Sequence, residues 1–160
     1  MGLFDRFFGR RVELDPAARQ RLETWRARPE PGLSDDFRAT RLVVVDVETT
    51  GLDLARDRLI AIGACAVENG QVVMADSFEI VLRQDKTSTK DNILIHGIGG
   101  EAQRDGLEPA EALLRFLDFL GKSPLVAFHV TFDQTMIKKA VKEYLGFEFK
   151  HPWLDLAYVM

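Results

Sequence analysis

Residues 41–51 read Arg41-Leu42-Val43-Val44-Val45-Asp46-Val47-Glu48-Thr49-Thr50-Gly51. Leu42-Val43-Val44-Val45 is a β-branched run too short for a helix, which predicts a buried strand. Side chains two apart on a strand point to the same face, so Asp46 and Glu48 project together where that strand ends. Two like charges so placed beside buried backbone repel each other and lose hydration. A divalent cation removes both penalties, and paired carboxylates are what Mg2+ or Mn2+ prefers. Taken alone, Asp-x-Glu more often marks a solvated strand end. The surroundings therefore decide its meaning.

Downstream, Arg58–Glu68 is nearly all apolar and predicts a second, central strand. Asn69-Gly70 follows, a strong hairpin signal. The return strand, Gln71–Leu82, places Val72, Met74, Phe78, Ile80 and Leu82 on one face by period-two spacing. Arg83–Asn92 is polar and turn-like. Pro109 suits a first helical turn; Leu113, Phe116, Leu117 and Leu120 repeat at helical spacing, and Gly121 stops the helix. Leu125–Phe128 predicts a short strand. Phe132–Leu145 predicts a helix with Met136, Ile137, Ala140, Val141 and Tyr144 inward and Lys138, Lys139 and Lys142 outward. Trp153–Met160 reads as the start of another helix. The order β-β-β-α-β-α-α predicts a mixed α/β domain, an antiparallel meander extended by a strand through a helical crossover.

The whole chain sets bounds on this reading. Its 160 residues are 46% apolar and 29% charged, which suits one globular domain and excludes collagen, coiled coil and wholesale disorder. Apolar stretches fall well short of the roughly 20 residues of a membrane helix. The start has no cationic flank followed by an apolar run, and Gly2 lacks the Ser or Thr that a myristoylation signal expects at Arg6. A single cysteine, Cys65, suits a reducing compartment, so a cytoplasmic location is expected. A net charge of −4 argues against a broad basic groove for duplex DNA but leaves room for gripping a strand end through metal ions. Residues 1–40 carry eight Arg and seven acids, whereas residues 41–160 carry thirteen bases and eighteen acids. The first segment, with Pro16, Pro29, Pro31 and Gly32, reads as an arm: an apolar tip, a short helix near Ala17–Ala27, then a linker ending at Thr40. Leu3, Phe4, Phe7 and Phe8 would share one side of a helix in that tip. They are expected either to dock on the domain itself or to meet a partner protein or an anionic membrane face without stable insertion.

A third carboxylate stands in Ala127-Phe128-His129-Val130-Thr131-Phe132-Asp133, where a buried strand feeds the first turn of a helix. Asp is common there for the helix dipole alone. A strand end is also where α/β proteins place functional groups. Asp133 beside the Asp46/Glu48 strand would complete a three-carboxylate cluster.

Together, Val-Val-Val-Asp46-Val-Glu48-Thr49-Thr50-Gly51, the later Ile95-His96-Gly97-Ile98, and Leu-Val-Ala-Phe-His-Val-Thr-Phe132-Asp133 resemble the DEDD 3′–5′ exonuclease family. The branch is the one holding the proofreading epsilon subunit of bacterial DNA polymerase III. The match runs from about Leu42 to Met160 and leaves the arm outside, so residues 41–160 are expected to be the exonuclease domain. It implies an RNase H-like fold and two-metal phosphodiester hydrolysis with Mg2+ or Mn2+. By the same resemblance Asp46 would bridge both ions, Glu48 would help hold one and Asp133 the other. Thr49, Thr50 and Leu52 would line the cleft for the 3′-terminal nucleotide, with His96 and Phe132 near its base or sugar. The implied partner is nucleic acid with a single-stranded 3′ end, DNA in preference to RNA, although RNA-trimming relatives use the same carboxylates.

Two departures from the family pattern stand out. Where the second element usually reads His-Asn-x-x-Phe-Asp, this chain has Phe128 and His129 in the leading positions. The third element, a general-base His and a fourth Asp on a late helix, should follow Trp153-Leu-Asp155-Leu-Ala, and Asp155 resembles a structural Asp of that region. The domain is therefore expected to be truncated at its C-terminal end and to lack full activity. The alternatives are a non-catalytic binding module on a degraded nuclease fold, or an RNA-trimming enzyme. A haloacid dehalogenase-type phosphatase, suggested by Asp46-x-Glu48-x-Thr50, is excluded by the hairpin that follows in place of a helical crossover.

Overall fold

The computed structural model describes residues 12–32, 36, 38–85, 93 and 97–159. The apolar tip with Leu3, Phe4, Phe7 and Phe8, most of the expected turn 83–92, and His96 lie outside the described residues. Five strands, β1 (Leu42–Thr49), β2 (Leu59–Glu68), β3 (Gln71–Val81), β4 (Leu125–Ala127) and β5 (Trp153–Asp155), form one sheet in the order β3-β2-β1-β4-β5. The β1–β2 and β2–β3 pairs are antiparallel, and β1–β4 and β4–β5 are parallel. The helices described are α1 (Pro16–Arg26), α2 (Gly100–Arg104), α3 (Pro109–Leu120), α4 (Val130–Leu145) and α5 (Leu156–Val159). The fold is the expected α/β architecture, an antiparallel meander plus parallel strands flanked by helices.

Alternation along β1 divides the sheet. Val43, Val45 and Val47 are buried with Leu113, Phe116 and Leu117 of α3 and Met136, Ile137 and Val141 of α4 in one apolar core. Each buried side chain of this size contributes about 1.5–3 kcal/mol. Pro109 opens α3 and Gly121, at φ 57°, closes it. Asp15 caps α1 by accepting from Ala18 N–H, and that helix docks through Leu22 and Trp25.

Two expectations fail in instructive ways. Val72 and Met74 do not share the core face with Phe78, Ile80 and Leu82; they are exposed. Cys65 pairs with Ser77, yet the next residue, Ala66, pairs with Val73, so Met74, Ala75 and Asp76 bulge out of β3. An insertion of three residues is odd, so it reverses which face every residue beyond it occupies. Arg41 holds the bulge, donating from Nε and Nη2 to the Asp76 carboxylate at 2.8 and 3.2 Å. At the other end, Trp153–Asp155 is not helical. It is an edge strand paired with all three residues of β4, and the helix begins only at Leu156. Such a short strand exists through its neighbour and leaves no periodic trace. The short helix α2 was likewise not evident from local pattern.

Candidate active site

β1 and β4 set up the site through a mismatch in length. β4 pairs with β1 only at Val43 and Val44 and ends at Ala127. Beyond that point the β4-facing amides of β1 have no strand opposite them. Asp133, in the first turn of α4, fills one such place: its Oδ1 accepts the Val47 N–H at 3.1 Å. A buried carboxylate is thus inserted beside the stretch Asp46-Val47-Glu48.

Asp46 and Glu48 alternate with buried Val45, Val47 and Thr49 and so occupy the face opposite the helical core. Their cross-strand partners on β2 are Gly63 and Ala61, small residues that leave the carboxylates unobstructed. Burial, reinforced by the Asp46 charge, pushes the Asp133 carboxyl up to about 6, against the opposing pull of the Val47 N–H. Burial first, then Asp46, raises Glu48 as well. Asp46 is therefore the charge that both neighbours feel. Among the described residues no cation forms an ion pair with any of the three.

The donor set is all carboxylate oxygen, the chemistry of Mg2+ or Mn2+ rather than of a softer metal. Mutual repulsion makes a cation favourable there, and in that sense the residues fit one. Among the described residues, however, no three His, Cys, Asp or Glu side chains are grouped as a ready-made metal cage. The coupling runs in pairs through Asp46.

The remaining expected site residues divide by position. Thr49 is buried and its hydroxyl donates to Gly51 O at 2.6 Å, while the Thr50 hydroxyl donates to Asp57 Oδ1 at 2.8 Å. Both hydroxyls thus serve the loop that follows β1. A Cβ at Gly51 would lie 2.5 Å from Asp57 Oδ2, so the carboxylate that bonds Thr50 would have to shift. Leu52 projects from the same loop, 85% exposed. Phe132 packs partly buried against the core beside Asp133.

Sequence reasoning missed how α4 is seated. Its N-cap, His129, adopts left-handed φ 60° and provides no side-chain cap. Asp155 of β5 supplies the cap instead, accepting from His129 N–H at 3.2 Å, Val130 N–H at 3.3 Å and Ala157 N–H at 2.9 Å. A carboxylate at a helix N-terminus is favourable for the dipole. The resemblance implied a structural Asp of the helix that follows, and the bond from Ala157 N–H fits that; the two bonds to the start of α4 add a role it did not imply. His151 stands at the opposite end of β4: its Nε2 bonds Ser123 O at 2.6 Å and its ring stacks on Phe149.

A carboxylate pair ending the central strand of such a sheet, with an Asp at the start of the crossover helix, is the arrangement expected of an exonuclease-type domain of RNase H-like fold. Residues 43–160 match the RNase T exonuclease family, and the chain belongs to it, among the DEDD-type 3′–5′ exonucleases. It is 34% identical over 125 residues to a PolC-type DNA polymerase III of Thermotoga maritima, covering 77% of this chain and 9% of the relative. With the PolC-type enzyme of Bacillus subtilis it shares 31% over 114 residues, covering 71% and 8% respectively. Among solved structures, Escherichia coli exonuclease I in complex with a dA16 oligonucleotide superposes with a TM-score of 0.65 at 19% identity, covering 76% of this chain and 28% of that one. A zinc-bound complex of the same enzyme with single-stranded DNA gives 0.64 at 20% identity, covering 76% of this chain and 29% of that one. The likeness to these structures is one of fold. This chain spans less than a tenth of the curated relatives it matches and under a third of the solved chains.

Proposed function

We propose that the domain removes nucleotides from single-stranded DNA 3′ ends, with Asp46, Glu48 and Asp133 holding Mg2+ or Mn2+, in the manner of a polymerase III proofreading exonuclease. The observation that carries this is the insertion of Asp133 against Val47 N–H, where it shares the Asp46 charge with Glu48. A buried carboxylate that faces a like charge is costly to structure, and such groups cluster at functional sites. When bound, divalent cations would polarise the phosphodiester and make a water molecule a better nucleophile. The chain's own residues supply the rest. Asp46 and Glu48 present their carboxylates on the open face of the sheet. The loop after β1 offers Leu52 to an unstacked terminal base, Phe132 at the start of α4 meets it from the other side, and His96 is assigned to the base or sugar of the same nucleotide. DNA is preferred as substrate because the similar proteins include PolC-type DNA polymerases and an exonuclease I seen with DNA.

The test is a Mn2+ titration followed by digestion of a single-stranded oligonucleotide labelled at either end. Weak but saturable Mn2+ binding and slow shortening from the 3′ end are expected, in keeping with the incomplete activity expected from the sequence, and both should be lost in Asp46→Asn. The rival reading is a non-catalytic nucleic-acid-binding module. It predicts strand binding indifferent to Mn2+ and to Asp46→Asn.

A further inference from the structure

We infer that Lys139 is a positioning residue for strand binding, acting by fixing the loop that carries Leu52 against the helix that carries Phe132 and Asp133. From the sequence Lys139 is one of three outward lysines on α4. In the structure its ammonium donates to three backbone carbonyls, Leu54 O at 3.2 Å, Ala55 O at 3.0 Å and Asp57 O at 2.8 Å. An ammonium has three N–H donors, so its capacity is filled.

The loop it grips is already closed on itself. Thr50 N–H donates to Arg58 O at 2.9 Å and Arg58 N–H to the Thr50 hydroxyl at 2.9 Å, which seals its base. The Asp57 carboxylate accepts from the Thr50 hydroxyl and from Asp53 N–H inside it. Asp53 Oδ1 in turn accepts from Ala55 and Arg56 N–H. Such a loop moves as one body, so its relation to α4 is set where it is tied to that helix. Lys139 lies six residues beyond Asp133, about 9 Å along the helix axis. Its three bonds therefore fix the separation between exposed Leu52 and the start of α4. A terminal base gripped from both sides requires that separation to be constant, since misplacement of about 1 Å is costly in a positioned site.

The inference rests on the proposed function, and the experiment separates the two. In the full chain with Mn2+, the affinity for a 5′-fluorescent single strand whose 3′-terminal linkages are hydrolysis-resistant phosphorothioates is measured for wild type, Lys139→Met, Leu52→Ala and the double variant, over a range of salt. Lys139→Met is expected to weaken strand binding about tenfold while Mn2+ affinity stays within about twofold. Because Lys139 acts through Leu52, the same substitution should have little effect in the Leu52→Ala background. The slope of log affinity against log salt should not change, whereas loss of a direct phosphate contact lowers it by about one. Soaking Lys139→Ala with propylammonium should restore part of the affinity. Unaltered binding by Lys139→Met, full additivity with Leu52→Ala, a reduced salt slope, or loss of Mn2+ affinity in parallel each overturns the positioning role alone. A wild-type chain that binds Mn2+ but no single strand overturns the proposed function and this inference together.

Discussion

The two ends of β4 treat charge in opposite ways. Near its start, where α1 docks, every charged group described below has a partner. Lys122 bonds Glu30 at 3.0 Å and lies 4.0 Å above the Trp25 ring, while the Trp25 indole N–H donates to Gly121 O at 2.6 Å. Arg21 joins Glu111 and Asp118, and Arg41 joins Asp76. Beyond its last residue, Glu48 and Asp133 each feel the charge of Asp46, and both are pushed toward the neutral form by burial and by that charge. A fold able to satisfy charges so thoroughly at one end keeps them in conflict at the other. Substitutions at the first end should therefore cost stability, and neutralising substitutions at the second should increase it.

Trp25→Ala is the largest expected loss. The indole is 3% exposed and packs on Phe147, Phe149 and His151 at centroid distances of 6.2, 6.1 and 6.4 Å. Truncation leaves a cavity and strands the Gly121 carbonyl, so urea unfolding should show a loss of about 3–5 kcal/mol. A loss under about 1 kcal/mol would mean that α1 is a detachable appendage, and the comparison would lose one of its sides.

Two carboxylates sharpen it through pH. The folded-state pKa of Asp133, about 6, lies above its ordinary 3.8, so the folded chain binds that proton more tightly than the unfolded one. Stability therefore falls as pH rises through that interval and remains reduced above it, by up to about 3 kcal/mol. Asn in its place still offers an oxygen to Val47 N–H. In EDTA at pH 8, Asp133→Asn should be the more stable protein by up to that amount, with the gain gone by about pH 4. Asp76 is the mirror case. Its hydrogen bond from Arg41 holds it below the ordinary carboxylate range, so its contribution is present above that range and is lost as pH falls through the lowered value. Asp76→Asn should cost about 1 kcal/mol at pH 8 and nothing in acid. Destabilisation by Asp133→Asn at pH 8 would place Asp133 with the structural pairs.

The same contrast explains what could be read from the chain. β1, β2 and α3 are written locally, as apolar runs and helical spacing closed by Gly121, and their boundaries follow from those residues. Asp46, Glu48 and Asp133 were visible because strand alternation and a strand–helix junction are local too. The reversal of face along β3 was not, since it depends on a bond from Arg41, 35 residues away, to Asp76. β5 was invisible because its three residues become a strand only beside β4. Lys139 looked like a solvated lysine because its acceptors are backbone carbonyls more than 80 positions distant, and carbonyls carry no sequence signature.

The smallest effect concerns the joint between β4 and α4. His129 sits at φ 60° and ψ 64°, a left-handed conformation that costs an ordinary L-residue about 1–2 kcal/mol and Asn distinctly less. Asn is also the residue the family pattern places there. Against this, His129→Asn gives up the edge contact with the Phe128 ring, at a centroid distance of 4.5 Å. Phe128 is 57% exposed, so that contact falls at the low end of the roughly 0.5–1.5 kcal/mol such pairs contribute. Relief of backbone strain should win narrowly. Thermal unfolding of His129→Asn should show a gain of a few tenths to about 1 kcal/mol, whereas His129→Val, β-branched at the same φ, should lose about 1–2 kcal/mol. The bond from residue 129 N–H to Asp155 is made by backbone and survives both substitutions, so neither should alter the pH response of Asp133. A loss of stability in His129→Asn would show that the aromatic contact outweighs the strain, and that this joint belongs with the satisfied end of the molecule.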